Sequence, residues 1–189
     1  MVNKKTIMID MDDVIVDCGF LYLVNEFLGT NYKDGDITTY YIQDIIPKQK
    51  FEDFKKFFKT KNMYEYVKFL PNALETIKKL SEVYDVYIVT SHLIAFYPEM
   101  IGDYLKYKFN FLHKKLSFMK PQNFVFLCNK ELFKADVKID DRLSNLKGDS
   151  KVKFLMNAYH NKNITDMELK KENVKRVNNW KEIEKLLLN

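Results

Sequence analysis

Two aspartates one residue apart, Asp10 and Asp12, directly follow the short apolar run Thr6–Ile9. Other apolar runs end the same way, in groups able to do chemistry: Val86–Val89 in Thr90 and Ser91, Phe124–Leu127 shortly before Lys130, and Val137–Ile139 in Asp140 and Asp141. Together these groups suit phosphoryl transfer, with the Asp10 carboxylate attacking phosphorus. Asp10 and Asp140 offer the hard anionic oxygens that Mg²⁺ prefers. An ion there would screen the repulsion between carboxylate and phosphate and polarise a phosphate oxygen. Thr90 can donate a hydroxyl hydrogen bond, and Lys130 a positive charge, to the equatorial oxygens over which transition-state charge is spread. Asp12 can serve as general acid toward the leaving oxygen, then as the base that activates water against a phospho-aspartate.

Taken singly, each feature has a plainer explanation. An Asp-x-Asp after a strand often caps a helix, as hydroxyls such as Thr90 and Ser91 also do, and Lys130 is one lysine among many. Asp140-Asp141-Arg142 has the composition of a surface turn. The argument rests on the conjunction: four unremarkable pieces, in complementary roles, each at the exit of an apolar run.

The elements that must position these groups follow from the same runs. With a fifth, Lys153–Met156, they have the length and the Val, Ile and Phe content of strands buried on both faces, which suits a parallel sheet with helices packed against it. In such sheets ligands bind beyond the carboxyl ends of the strands, where the reactive groups stand. Helices are expected over 72–84, launched by Pro71, around 97–116, and at the end of the chain, with Asn179 as N-cap and Ile183, Leu186 and Leu187 on one face. Residues 10–85 separate the first two strands, far more than a crossover helix needs. This stretch is rich in Phe, Tyr and Lys, so a mainly helical cap is expected at 18–70, leaving 1–17 and 71–189 as the core.

A chain of 189 residues has room for one domain with such an insertion. Its 47% apolar and 30% charged residues exclude a disordered chain. No apolar run approaches the ~20 residues that span a bilayer, and acid at Asp10 interrupts any signal-like start, so a cytoplasmic protein without membrane contact is expected. Cys18 and Cys128 lack partners at metal-ligand spacing and read as reduced thiols. The net charge of +5 comes from scattered lysines, the pattern of a solvated surface rather than a nucleic-acid interface, though it would draw in a small phosphorylated anion.

The motifs Ile9-Asp10-Met11-Asp12-Asp13-Val14-Ile15-Val16-Asp17, Ile88-Val89-Thr90-Ser91, Asn129-Lys130 and Ala135-Asp136-Val137-Lys138-Ile139-Asp140-Asp141-Arg142 resemble the ordered motifs of the haloacid dehalogenase superfamily, and within it the 5'(3')-deoxyribonucleotidase family. Arg176-Val177-Asn178-Asn179-Trp180 adds to the likeness. The resemblance implies a Rossmann-like α/β fold with sheet order 5-4-1-2-3, a cap over the site, and Mg²⁺ held by Asp10, Asp140 and the Asp12 backbone carbonyl. It further implies that Asp141 acts through metal-bound water and that Ser91 joins Thr90 around the phosphate. The implied substrate is a nucleoside monophosphate, deoxyribonucleoside monophosphates foremost, hydrolysed through an aspartyl-phosphate. Phosphatases of other small metabolites, or of nucleic-acid ends, are the competing functions.

Many relatives carry Gly where this chain has Asp13, which is expected to face solvent and cap the next helix. Phe20, Tyr64 and Tyr66 are candidates for stacking on a base, against the alternative that cap aromatics such as Phe51, Phe54 and Phe58 form the cap's own core. His92 either touches the substrate or faces solvent. Cys18 stands where relatives can carry an aromatic, and Asp17 is expected to brace its loop through backbone hydrogen bonds.

Overall fold

The computed structural model describes residues 4–17, 19–37, 39–92, 94 and 96–189, so Cys18 lies outside the described residues. Its centre is a parallel sheet built from β1 (Thr6–Ile9), β2 (Asp85–Thr90), β3 (Phe124–Phe126), β4 (Val137–Asp140), β5 (Val152–Met156) and β6 (Lys175–Val177). The strands lie in the order β3-β2-β1-β4-β5-β6. Through five strands this is the expected 5-4-1-2-3 read from the other edge. The departure is β6, which pairs with β5 and moves the sheet edge outward.

The chain builds β1, β2 and β3 toward one edge, then returns to lay β4 on the free side of β1. Reversal of strand order between β1 and β4 opens a crevice at their carboxyl ends, where open α/β sheets bind ligands. These two strands are also deeply placed: Ile7, Met8, Ile9, Ile139 and Asp140 are fully buried. Their alternating side chains pack on both faces, which fixes register and the positions of the residues that follow.

Helices flank the sheet. α3 (Ala73–Val83) and α6 (Trp180–Leu188) pack on each other, and α4 (Ile101–Lys115) packs on β3. Asn179 caps α6 as expected, its Oδ1 accepting from the Glu182 amide at 3.0 Å. The buried stripe of α6 differs from the expected one: Trp180 and Ile183 are buried, while Leu186 turns outward. Trp180 sets this rotation by donating its indole N–H to the Val14 carbonyl at 2.7 Å, which also ties the helix to the loop after β1.

Between β1 and α3 lie α1 (Gly19–Leu28), α2 (Phe51–Lys59) and short 3₁₀ turns. Aromatic rings hold this segment together: Phe54 contacts Phe20, Phe27 and Phe58, and Phe96, from the loop after β2, meets Phe20, Phe51, Phe54 and Phe58. Gly19 permits close approach, because a Cβ there would stand 2.4 Å from a Val67 methyl carbon. α5 (Asp166–Lys171) begins at Thr165, which accepts from the Glu168 amide.

Candidate active site

The turn after β1 is tightly wound: the amides of Ile15 and Val16 both donate to the Met11 carbonyl, at 2.8 and 3.1 Å. Asp17 anchors the far end of this turn. It accepts from the Lys68 amide at 2.7 Å and the Tyr22 hydroxyl at 2.7 Å, the bracing expected of it. Asp10 thereby stands at the head of β1 beside Asp140 at the head of β4, and its own amide donates to the Ile139 carbonyl at 2.9 Å.

Lys130 joins the two strands. Its Nζ lies 2.6 Å from Asp10 Oδ1 and 2.9 Å from Asp140 Oδ2, with all three groups buried. Burial works against the lysine's charge, but the two carboxylates overcome it and hold the ammonium above its ordinary pKa. Burial raises Asp10 despite Lys130, and Asp140 despite the same partner. Asp141, also buried, is pushed up to about 7 by burial and then by Asp10.

Asp10, Asp140 and Asp141 each bring a carboxylate oxygen within 4.8 Å of the others'. Two of these buried carboxylates share the Lys130 ammonium, and the oxygens of all three are of the kind that hard divalent cations take. The residues therefore fit a divalent metal.

The second half of the site is gathered by a residue the sequence motifs do not mark, Lys108. Lys108, on α4 and 1% exposed, donates at 2.7 Å to Asp12 Oδ2, Thr90 Oγ1 and the Ser91 carbonyl. Its ammonium also lies 5.8 Å from the Tyr64 ring centre and 5.2 Å from that of Tyr104. The available signal was spacing: Lys108 stands three and four residues before Phe111 and Leu112, on the buried face of α4. Tyr64 donates its hydroxyl to Asp12 Oδ1 at 3.2 Å, or shares it with Tyr104 at 2.9 Å, so this aromatic holds the aspartate rather than presenting a stacking face.

Beyond Asp12 opens a cavity of about 270 Å³, lined by Asp12, Asp13, Phe20, Ser91 and Arg142 among others, with Tyr40, Tyr41 and Gln43 on the side of the long segment after β1. Phe20 and Ser91 are thus both on the cavity wall. Tyr66 and His92 are not among the lining residues. Tyr66 packs against the core and bonds toward Glu26, while His92 lies with its Nδ1 3.9 Å from Cys128 Sγ. The Arg142 guanidinium stacks 4.3 Å from the Tyr40 ring centre, linking the loop after β4 to the segment after β1.

Asp13 departs from the solvent-facing helix cap expected of it. It is half-buried, has φ +58°, and lies with Asp141 and His160 in a group whose ligand atoms are all within 4.8 Å of one another. That backbone conformation favours glycine, so the carboxylate is kept at some local cost. Burial and the neighbouring acids Asp141 and Asp12 raise its pKa well above the ordinary value. His160 bonds to Asp141 Oδ2 at 2.6 Å and is held neutral, its pKa lowered to about 4 by burial and then by Arg142.

Residues 4–189 match the family described as 5' nucleotidase, deoxy (pyrimidine), cytosolic type C protein. The chain is 30% identical to the 5'(3')-deoxyribonucleotidase of Bacillus subtilis over 196 residues, covering 98% of this chain and 99% of that one. A Staphylococcus aureus protein provisionally given the same name is 30% identical over 188 residues, covering 98% and 97%. Among solved structures, a HAD-type hydrolase of Bacillus subtilis, bound to magnesium, aligns with 98% of this chain and 99% of its own at a TM-score of 0.50 and 12% identity, a likeness of fold. No helix among the described residues is long and apolar enough to cross a membrane. The chain thus belongs to the family of deoxy (pyrimidine) 5' nucleotidases of cytosolic type C, and is a phosphoric monoester hydrolase with a haloacid dehalogenase-like fold.

Proposed function

We propose that the protein is a Mg²⁺-dependent nucleotidase that hydrolyses nucleoside monophosphates, deoxyribonucleoside monophosphates foremost, through a phosphorylated Asp10. The observation that carries this reading is the pairing at the crevice. Asp10 is held by Lys130 at the head of β1, and Asp12, two residues on, is held by Lys108 and Tyr64 at the mouth of an aromatic-lined cavity.

Asp10, Asp140 and the Asp12 carbonyl would hold the metal directly and Asp141 through water; when bound, Mg²⁺ screens the charge of the phosphate and polarises one of its oxygens. An Asp10 carboxylate oxygen bonds to phosphorus as the bond from phosphorus to the sugar oxygen breaks. Asp12 gives its proton to that departing oxygen. The Asp12 carboxylate then takes a proton from water, whose oxygen bonds to phosphorus while the acyl phosphate bond to Asp10 breaks. Inorganic phosphate leaves, with both aspartates restored. Thr90, Ser91 and Lys130 donate to the phosphoryl oxygens, where preorganised donors lower the barrier most. Lys108 holds Asp12 and Thr90 in their positions.

Residues 18–70 act as a cap on a core of residues 1–17 and 71–189, and the cavity wall they share selects the ester. Phe20, on the cavity wall, would offer its ring to a base, and the family's description points to a pyrimidine. The test is a panel of nucleoside monophosphates and sugar phosphates with Mg²⁺. Phosphate release favouring deoxyribonucleoside monophosphates is expected. Vigorous hydrolysis of sugar phosphates with none from any nucleotide would overturn the assignment.

A further inference from the structure

One buried ionisable group is left without a part in this chemistry. Lys138 sits in the middle of β4, two residues before Asp140, and is 1% exposed. Among the described residues no carboxylate pairs with it in a salt bridge. Its Nζ donates instead to two backbone carbonyls, of Lys130 at 3.2 Å and of Lys147 at 3.0 Å. Burying an ammonium is costly unless its hydrogen bonds are made, and an apolar side chain in a central strand would avoid that cost. Burial, and then Lys153 on β5, lower its pKa.

Both carbonyls belong to segments that carry site contacts. Lys130 opens the 3₁₀ turn Lys130–Leu132, and its side chain bridges Asp10 and Asp140. Lys147 directly follows the 3₁₀ turn Leu143–Leu146, from which Asn145 donates its side-chain amide to Asp140 Oδ1 at 2.9 Å. A residue on β4 therefore fastens, from below, the two turns whose side chains grip the end of the same strand.

We propose that Lys138 is a positioning residue for catalysis. By holding the carbonyls of Lys130 and Lys147, it sets the Lys130 ammonium and the Asn145 amide against Asp10 and Asp140. The inference rests on the role proposed above for Lys130. Its physical basis is that the bridge to Asp10 is useful only while the turn bearing it stays in place, and small displacements of such groups are costly in rate.

The test compares K138M, similar in length but unable to donate, with K138R and K138Q, which donate, and with K130M as a control. Turnover of a nucleoside monophosphate is measured well below each variant's Tm, and hydrogen exchange is followed at the Leu132 and Phe133 amides. For K138M the expected result is a loss of about tenfold or more in kcat, with KM changed by less than about threefold, together with faster exchange at those amides. K138R or K138Q should recover much of both. If K138M does not fold, K138Q carries the test, with a smaller loss of the same kind. A K138M protein with a lowered Tm but wild-type kcat would overturn the inference and leave Lys138 a purely structural lysine. Unchanged exchange would also overturn it. Should K130M keep full turnover, the reading of Lys130 fails and the inference with it, whereas an inactive K130M beside a fully active K138M refutes the inference alone.

Discussion

The heads of β1 and β4 and the segment after β1 are held by different forces. At the strand ends, Lys130 pairs with Asp10 and Asp140 almost out of water at 2.6–2.9 Å, and the buried Lys108 pairs at 2.7 Å with Asp12, whose side chain is half-buried. In the segment after β1, rings meet rings at centroid separations such as 5.6 Å for Phe20 with Phe54 and 5.3 Å for Phe27 with Phe54. Buried ion pairs are directional and tolerate little displacement, because removing one partner leaves a charge uncompensated. Apolar packing is less directional and accepts swaps of similar volume. The first arrangement suits a reaction whose geometry must not vary, the second a surface that can be reshaped for a different ester.

If this division is right, substitutions in the two regions should separate in kind as well as in size. The largest effect among these is expected for Asp12→Asn, which keeps the shape of the side chain but cannot pass a proton. The rate should fall roughly 10²–10⁴-fold, about 3–5 kcal/mol of barrier, with KM little changed. Steady-state kinetics showing unchanged turnover would remove Asp12 from the mechanism.

A second difference concerns protons. The folded-state pKa of Asp141 is raised to about 7, so the folded protein holds this proton more tightly than the unfolded chain does. The stability this contributes is present in full below the unfolded carboxylate value of about 3.9 and is lost as pH rises through the folded value. A divalent cation favours the ionised form and opposes that loss. Thermal melts near pH 5 and near pH 8 should therefore show Mg²⁺ raising Tm by several degrees more at about pH 8. Equal shifts at both would contradict the placing of the cation among these carboxylates. The ring cluster holds no such group and should be indifferent to both pH and metal.

The smallest effect on rate is expected from the aromatic side. Phe20→Ala should change relative kcat/KM among nucleoside monophosphates by about tenfold, at the lower end of the ~1–3 kcal/mol that base stacking contributes, with kcat for the best substrate largely kept. A uniform collapse of kcat on every substrate would show that the two regions are not separable.

The same contrast explains what was legible in the sequence. Asp10, Asp12, Thr90, Asp140 and Asp141 stand where apolar strand patterns stop, so pattern alone placed them. Lys130 was found because the third strand points to it. Lys108 was hidden because one buried lysine looks like any other in a chain with 31 Lys and Arg, and only its spacing from Phe111 and Leu112 marks the helix face it occupies. β6 was missed for a related reason, since Lys175-Arg176-Val177 is too short and too charged to read as a strand. Tyr64 and Tyr66 were indistinguishable as rings. The fold sends one hydroxyl to Asp12 and the other ring toward Glu26, a difference made by the 3₁₀ turn Met63–Glu65 and not by residue type.

The central claim is that Asp10 itself carries the phosphoryl group. Rapid acid quench of the turning-over enzyme, followed by peptide mass mapping, tests it directly. A phosphoryl group on the peptide containing Asp10, absent from Asp10→Asn and accompanied there by loss of turnover, is the predicted result. Steady turnover with no phosphorylated Asp10 at any quench time, and activity surviving in Asp10→Asn, would contradict it.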